Sequence, residues 1–309
     1  MQNTQINTIL ITGGSGLVGT LLSEMLLQKG YTVRHLSRTP KANSQIEQFA
    51  WDIDKQYIDA AAFENVDALV HLAGANIGEK MWTASRKKEI ISSRVDSLVL
   101  IQKYLAQQKL QLKSFVSTSA TGIYGSRGDV LLTENSSIGS GFLTEVCQKW
   151  ENAAQELGNS FCDRYCILRL GVVLAAKGGA LERLDQSIRL AGLSVLPGGG
   201  KQFLPWIHLQ DVCNIFLQAV ENEDFTDSIN AVAPNVVRLE TLMETAAHQL
   251  NKKYIPVKVP AWVLKMAMGD MATLALDSAN VSSEKLQALG YKFSYATLPA
   301  ALADIYQKS

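Results

Sequence analysis

Net charge is what the sequence most plainly lacks: 29 basic and 29 acidic side chains cancel over 309 residues. That balance gives no electrostatic case for nucleic acid or an anionic membrane as a partner. Cysteine is scarce. Cys147, Cys162, Cys166 and Cys213 include one i,i+4 pair and no second pair, and the four histidines lie far apart in sequence, so no metal-ligand pattern forms. Free thiols in a reducing compartment are the reading that follows. No apolar run reaches the roughly 18 residues that span a bilayer; the longest candidate, 261–276, is interrupted by Lys265 and Asp270. The opening MQNTQINTILITGG runs straight into a strand pattern without the basic-then-apolar layout of a signal peptide, which predicts a cytoplasmic protein.

What is present is an ordinary globular composition, 47% hydrophobic and 19% charged, long enough for one large domain or one and a half. Short β-rich runs at 7–12, 32–37, 68–73, 114–119 and 165–170, with a weaker one near 48–51, alternate with helical patterns at 17–29, 84–106 and 143–157. Near-continuous apolar strands separated by helices predict a doubly wound parallel α/β sheet covered on both faces. After Gly171 the texture changes: glycine clusters at 178–179 and 198–200 break up short elements, and prolines 256 and 260 enter a helical region. We therefore divide the chain into a sheet-building portion, 1–171, to which later segments can return, and a smaller mixed α/β portion, 172–309.

The strongest motif is TGGSGLVG, 12–19, placed directly between a strand and a helix. In that context Gly13 permits a tight turn, Gly16 lets backbone approach a pyrophosphate, and Gly19 lets helix and strand pack closely. Leu17 and Val18 begin the helix whose free N–H groups and dipole would face the phosphates. The second strand ends His35-Leu-Ser37-Arg38 with no carboxylate. A hydroxyl beside a guanidinium suits a 2′-phosphate, so the expected cofactor is NADP(H), preferred over NAD(H). Leu72, Ala73 and Gly74 end a strand in small residues against which the adenosine side would lie. Asp52, after Trp51, is either a partner for the adenine amino group or a turn residue.

With TGGSGLVG, HLAG at 71–74 and STSATGIYG at 117–125, the sequence resembles the extended short-chain dehydrogenase/reductase superfamily of NAD(P)-dependent epimerases and dehydratases. SRVDSLVL (93–100), Trp150-Glu151, LRLGVVLAAKGGAL (168–181) and GGGKQFLPWIHLQDV (198–212) narrow it to an epimerase-like subfamily with a small extra C-terminal domain. The resemblance spans essentially the whole chain. It implies a Rossmann-like domain, hydride transfer assisted by a Ser/Thr, a Tyr and a Lys, and, by analogy, a possible homodimer. Ser119 falls where the substrate-binding Ser/Thr belongs. Counting back from Glu151 puts Cys147 in the lysine slot and Leu143 in the tyrosine slot, so the Tyr-xxx-Lys pair is missing. Lys149, two residues from Cys147, points about 200° away around the helix and reads as solvent-facing, as does Glu151. Arg94 stands where superfamily members turn an asparagine to the cofactor; it would bring fixed charge toward phosphate or ribose. Glu89, just over a turn earlier, pairs with Arg94, reaches a cofactor hydroxyl, or is surface beside the polar run 86–88. Gly171 and Val172 complete the cofactor-facing set. Tyr124 is the nearest phenol to Ser119, either near substrate or packed as a loop aromatic, and Cys147 reads as a core thiol.

On the substrate side, Trp206 and His208 are candidates for stacking and hydroxyl binding, against a reading in which Trp206 is core and the segment a hinge. Trp82 either lines the site or packs on a helix. Arg183, Arg189, Lys201 and Arg238 look dispersed, with no cluster to clamp a diphosphate. The expectation is an NADP(H)-binding epimerase/dehydratase-like oxidoreductase with a remodelled site and an unknown small-molecule substrate. Its rival is a non-catalytic NADP(H)-bound sensor or scaffold. The two differ in turnover alone.

Overall fold

Alternation of apolar residues within single strands builds the centre of the molecule. In the computed structural model, which describes residues 5–308, Ile9 and Ile11 face one layer of helices while Leu10 between them faces the other. The same split divides Val70 from Leu69 and Val116 from Phe115. A strand buried on both faces is the signature of a sheet with helices above and below.

That sheet has eight strands: β1 (Thr8–Thr12), β2 (Thr32–Ser37), β3 (Glu47–Asp52), β4 (Tyr57–Ile58), β5 (Ala68–His71), β6 (Leu112–Ala120), β7 (Cys162–Leu170) and β8 (Asp227–Ala231). Their order is β8-β7-β6-β5-β1-β2-β3-β4, parallel throughout except for the short β3–β4 pair. α1 (Leu17–Gln28) packs on one face, later joined by α5 (Leu209–Glu221); α2 (Ala84–Gln108) and α3 (Phe142–Phe161) cover the other. The strand order reverses between β1 and β5, which opens a crevice above their carboxyl ends where such sheets hold ligands. The expected strands and helices are all found: 32–37 as read, five longer than the local pattern indicated, and those expected at 7–12, 17–29 and 68–73 a residue or two shorter. The structure is a mixed α/β fold of Rossmann type.

The chain does not divide at a single point. After residue 171 it lays down α4 (Leu181–Ala191), then returns to the sheet through α5 and β8, with Ile229 of β8 beside Leu168 of β7. α6 (Leu239–Gln249) and the C-terminal helix Leu298–Gln307 build a separate core with α4 around Leu181, Ile188, Leu242 and Leu302. Trp206 belongs to that core.

One buried histidine ties three elements together at the crevice floor. The His71 ring contacts Thr12 Oγ1 at 2.8 Å through Nδ1 and Ser97 Oγ at 3.2 Å through Nε2. Burial, with Arg94 nearby, pushes its pKa down to about 3. The unfolded chain binds this proton below about 6.5 and the folded chain does not. Stability is therefore complete above pH 6.5 and falls as pH drops from there toward 3. Urea titrations should reveal a loss of about 1.4 kcal/mol per pH unit from this group, and a flat profile between pH 6.5 and 4.5 would contradict it.

Candidate functional site

The glycine turn sits where the β1–β5 crevice opens. Gly13 has φ of +70°, and a Cβ there would lie 2.8 Å from the Leu72 carbonyl carbon, so only glycine lets the two strand exits touch. A Cβ on Gly19 would meet the Gly13 carbonyl oxygen at 2.5 Å, and one on Gly14 would enter the His35 ring at 2.4 Å. The Gly14 requirement escaped the motif reading, because the His35 ring arrives from β2. Leu72 and Ala73 are held by Thr12 Oγ1, which accepts from both backbone N–H groups at 3.2 and 3.3 Å. α1 begins at Leu17 and Val18 with no side-chain cap and no acid in its first turn, leaving its positive end to whatever approaches Gly16.

Around this turn lie the other expected cofactor residues. Ser37 ends β2 and accepts from Thr39 N–H at 3.2 Å, and Arg38 beyond it is exposed. Glu89 pairs with Arg86 at 2.7 Å, not with Arg94. Its carboxyl sits below the usual range chiefly through that bond, with Lys80 and Arg38 adding their charge. Arg86, expected on polar surface, is buried, and also donates to the Asn76 carbonyl at 2.5 Å. The Arg94 guanidinium lies against Gly74, donates to the Ile90 and Ala75 carbonyls, and stands 5.0 Å over the Trp150 ring. Burial brings its pKa down to about 10, still cationic at neutral pH. Gly171 and Val172 spend their N–H groups on the Ala231 and Pro205 carbonyls, so neither is free to donate to a cofactor from those groups.

At the carboxyl end of β6 a buried polar network forms that the sequence reading did not assemble. Ser119 donates to Glu151 Oε1 at 2.6 Å, and Arg169 grips the same carboxylate with Nε at 2.9 Å and Nη2 at 2.8 Å. Arg169 Nη1 donates to the Tyr124 hydroxyl at 2.9 Å, which in turn donates to Asn230 Oδ1 at 2.7 Å. Glu134 accepts from Asn230 N–H at 2.8 Å. Glu151, read as surface charge, is 5% exposed, so that expectation is corrected: it points into the sheet edge. Burial disfavours the Arg169 cation, but the Glu151 carboxylate outweighs it and raises the pKa. Burial likewise raises the Tyr124 hydroxyl, against the pull of Arg169. The missed signal was Arg169 itself, a charge inside the apolar run Cys166-Ile-Leu-Arg-Leu170, which demands a buried partner.

α3 turns Leu143 and Cys147 toward the loop after β6: a Cβ on Gly122 would meet Leu143 Cβ at 3.4 Å and Cys147 Sγ at 3.5 Å. Cys147 is in hydrogen-bond contact with Ser119 and the Ala120 backbone, yet burial, with Glu151 adding, pushes its thiol up to about 12. It is an inert thiol at neutral pH. Lys149 is exposed and paired with Glu145.

Trp206 and His208 stand apart from the network. Trp206 is 0% exposed, with its indole N–H on the Asn235 carbonyl, so it has no face for a substrate. His208 caps α5, accepting from Gln210 N–H at 3.1 Å, and contacts Asp304 at 3.3 Å beneath the Tyr295 ring. These placements correct both substrate assignments in favour of core and cap. Trp82 is buried edge-on to Phe142. Lys201 and Arg238, dispersed in sequence, meet with Lys265 around one cleft, while Arg189 pairs with Asp185. No helix among the described residues is long and apolar enough to cross a membrane.

A parallel sheet with its glycine turn at the strand-order reversal defines a doubly wound α/β protein. The model of the NAD-dependent epimerase/dehydratase family matches residues 9–232, and that of DUF1731, a domain of unknown function, matches 259–305. The chain belongs to the NAD-dependent epimerase/dehydratase family. It is similar to human epimerase family protein SDR39U1, 31% identical over 302 residues covering 96% of this chain and 99% of the relative. The structure of isoform 2 of that protein with NADPH superposes with a TM-score of 0.87 at 30% identity, covering 98% of this chain and 100% of that one. An epimerase family protein of Mycobacterium leprae is 29% identical over 299 residues, covering 96% and 94% of the two chains.

Proposed function

We propose that the chain is an NADP(H)-dependent epimerase- or oxidoreductase-like enzyme with a remodelled active site, acting on a small molecule. The observation that carries this reading is the Ser119–Glu151–Arg169 network, buried at the same sheet edge as the glycine turn.

The residues present fit a dinucleotide. Gly16 is exposed, and a Cβ on it would meet only the Gly13 carbonyl oxygen at 3.3 Å, which is where a phosphate could approach the uncapped end of α1. Gly13, Gly16 and the N–H groups of Leu17 and Val18 would hold the pyrophosphate, with Gly19 letting α1 pack close beneath it, and Leu72 to Gly74 the adenosine side. Ser37 and Arg38 would hold the 2′-phosphate, and Arg94 would face ribose or phosphate. The relative SDR39U1 was solved with NADPH, which supports the same cofactor here. A bound nicotinamide would supply or accept the hydride.

The proton chemistry falls to this chain's own side chains. Leu143 has no proton to give, and Cys147 holds its own to about pH 12. Ser119, 2% exposed, is the hydroxyl left at that position: with its own proton committed to Glu151 Oε1, its Oγ would accept the substrate hydroxyl's hydrogen bond and orient it. Arg169 keeps that carboxylate in place, and Tyr124 braces Arg169 from the other side.

A panel of carbonyl compounds followed by NADPH absorbance tests this. Ser119→Ala should abolish turnover while NADPH binding, read by fluorescence, stays within about twofold. NADP(H) should also protect the protein from heat better than NAD(H); the reverse order would sink the cofactor assignment. One observation favours a second reading: with Leu143 and Cys147 in the dyad slots, an NADP(H)-bound sensor without turnover needs no further change. Tight NADPH binding with no turnover across the panel would favour it.

A further inference from the structure

Outside the network, the two portions of the chain enclose an open cleft of about 880 Å³. Its walls are Gly128-Asp129, the glycine-rich turn 198–200 with Lys201 and Gln202, the start of α6, helix α7 (Ala261–Met268), and 273–278. The volume is that of a small-metabolite site.

Its chemistry is divided. Lys201, Arg238 and Lys265 reach it from three different segments. Arg238 is stacked 4.3 Å over Phe203 and paired at 2.9 Å with Asp129, whose side chain is 71% exposed. Such a surface pair is weak and exchangeable. Lys201 and Lys265 form no ion pair among the described residues and are exposed. The first turn of α7, with no acid in it, opens onto the cleft at Ala261, adding the positive end of one helix, whereas at α6 the Leu239 and Glu240 N–H groups are spent on the Gln202 and Gly200 carbonyls. On the floor the pattern reverses. Gln202 is 9% exposed and spends its amide N–H₂ on the Pro197 and Ala275 carbonyls at 3.0 and 2.6 Å. Its Oε1 is thereby left as an acceptor. Asp277 is half-buried with no ion-pair partner among the described residues, and burial raises its carboxyl despite Lys265. Glu240 also faces the space. Three cations and three carboxylates line the cleft, so a bare polyanion gains little there, whereas an anion carrying hydrogen-bond donors satisfies both halves.

We infer that this cleft binds a small hydroxylated acid, its phosphate or carboxylate held by Lys201, Arg238 and Lys265 and its hydroxyl groups donating to Asp277 and Gln202. The loop 125–129 that forms one wall directly follows Tyr124, and Arg127 N–H donates to the Ser278 carbonyl at 2.8 Å. The cleft is thus built onto the network's own loop. Treating the bound acid as the substrate rests on the proposed function above, while binding itself does not.

Calorimetric titration of the full chain at low salt with glucose 6-phosphate, gluconate, inorganic phosphate and UDP tests the site. Glucose 6-phosphate or gluconate should bind, the two arms telling phosphate from carboxylate. Lys201→Gln with Lys265→Gln should weaken that binding at least tenfold, and Asp277→Asn at least fivefold. NADPH binding should be unchanged in both variants. All three residues are exposed or half-buried, and a melting curve matching the parent's verifies folding. Unchanged affinity in the lysine variant, or no binding by either hydroxylated acid at millimolar concentration, overturns the site. Phosphate or UDP binding more tightly than both acids overturns the assignment to a hydroxylated acid. Loss of NADPH binding by the parent protein would defeat the proposed function and leave this site standing.

Discussion

Glu151→Ala should destabilise the protein by about 3–5 kcal/mol, the range for removing one partner of a buried ion pair. The variant leaves the Arg169 guanidinium, 9% exposed, without its counter-charge. It also takes the acceptor from Ser119 and frees the charge that braces Tyr124. Each is a polar group without water to replace what it lost. Urea denaturation of the two single variants and the pair would apportion the effect. Glu151→Leu combined with Arg169→Met removes both charges and should recover most of the loss, since well-packed apolar replacements of buried pairs are often neutral. Single-variant costs below about 1 kcal/mol would mean that the pair behaves like a surface contact and the carboxylate is not fixed. The recovered double variant should still bind NADPH but lose turnover, which separates the network's role in folding from its role with substrate.

What was legible in the sequence followed from short-range pattern. β2, for instance, reads directly from the short β-rich run at 32–37, and the glycine turn from its setting between β1 and α1. Both are decided by residues within one element or its immediate neighbour. Glu151 was not legible. On helix α3 it follows Lys149 and Trp150 and precedes Asn152, with nothing local to mark it as buried. Its fate is set by Arg169, 18 positions away on β7, and by Ser119 on β6. Arg86 was misread for the same reason: a polar run hides one residue whose partners, Asn76 and Glu79, lie on the preceding loop. Trp206 and His208 sit at a strand-to-helix junction that resembles a pocket rim, yet the C-terminal helix and Tyr295 close over them. Lys201 and Arg238 looked scattered because only the fold brings them, with Lys265 from a third segment, to one cleft. Long-range pairing of charge is the part that pattern cannot supply, although an arginine inside an apolar strand does announce that a partner exists.

Arg38→Asp should invert the proposed preference for NADP(H) over NAD(H). At the end of β2 the wild-type chain offers the Ser37 hydroxyl and the exposed Arg38 guanidinium, and no carboxylate among 35–41. A 2′-phosphate would gain a charge-assisted hydrogen bond of about 1.5–3 kcal/mol from Arg38, which is on the order of 10- to 100-fold in affinity. Aspartate removes that bond, sets a negative charge against the phosphate, and suits a free 2′-hydroxyl instead. NADPH affinity should therefore fall by roughly 100-fold or more, while NADH affinity holds or rises. The ratio of the two dissociation constants, measured by fluorescence titration, is the readout. Arg38 is exposed and forms no ion pair among the described residues, so the exchange should leave the melting temperature nearly unchanged and any lost affinity is local. Salt gives an independent check, because an exposed guanidinium–phosphate contact weakens with ionic strength. NADPH binding by the parent should loosen between low and physiological salt more steeply than binding by Arg38→Asp. Equal slopes, or an unchanged NADPH to NADH ratio, would place the discriminating contact elsewhere, with Lys41 as the next cation along the chain.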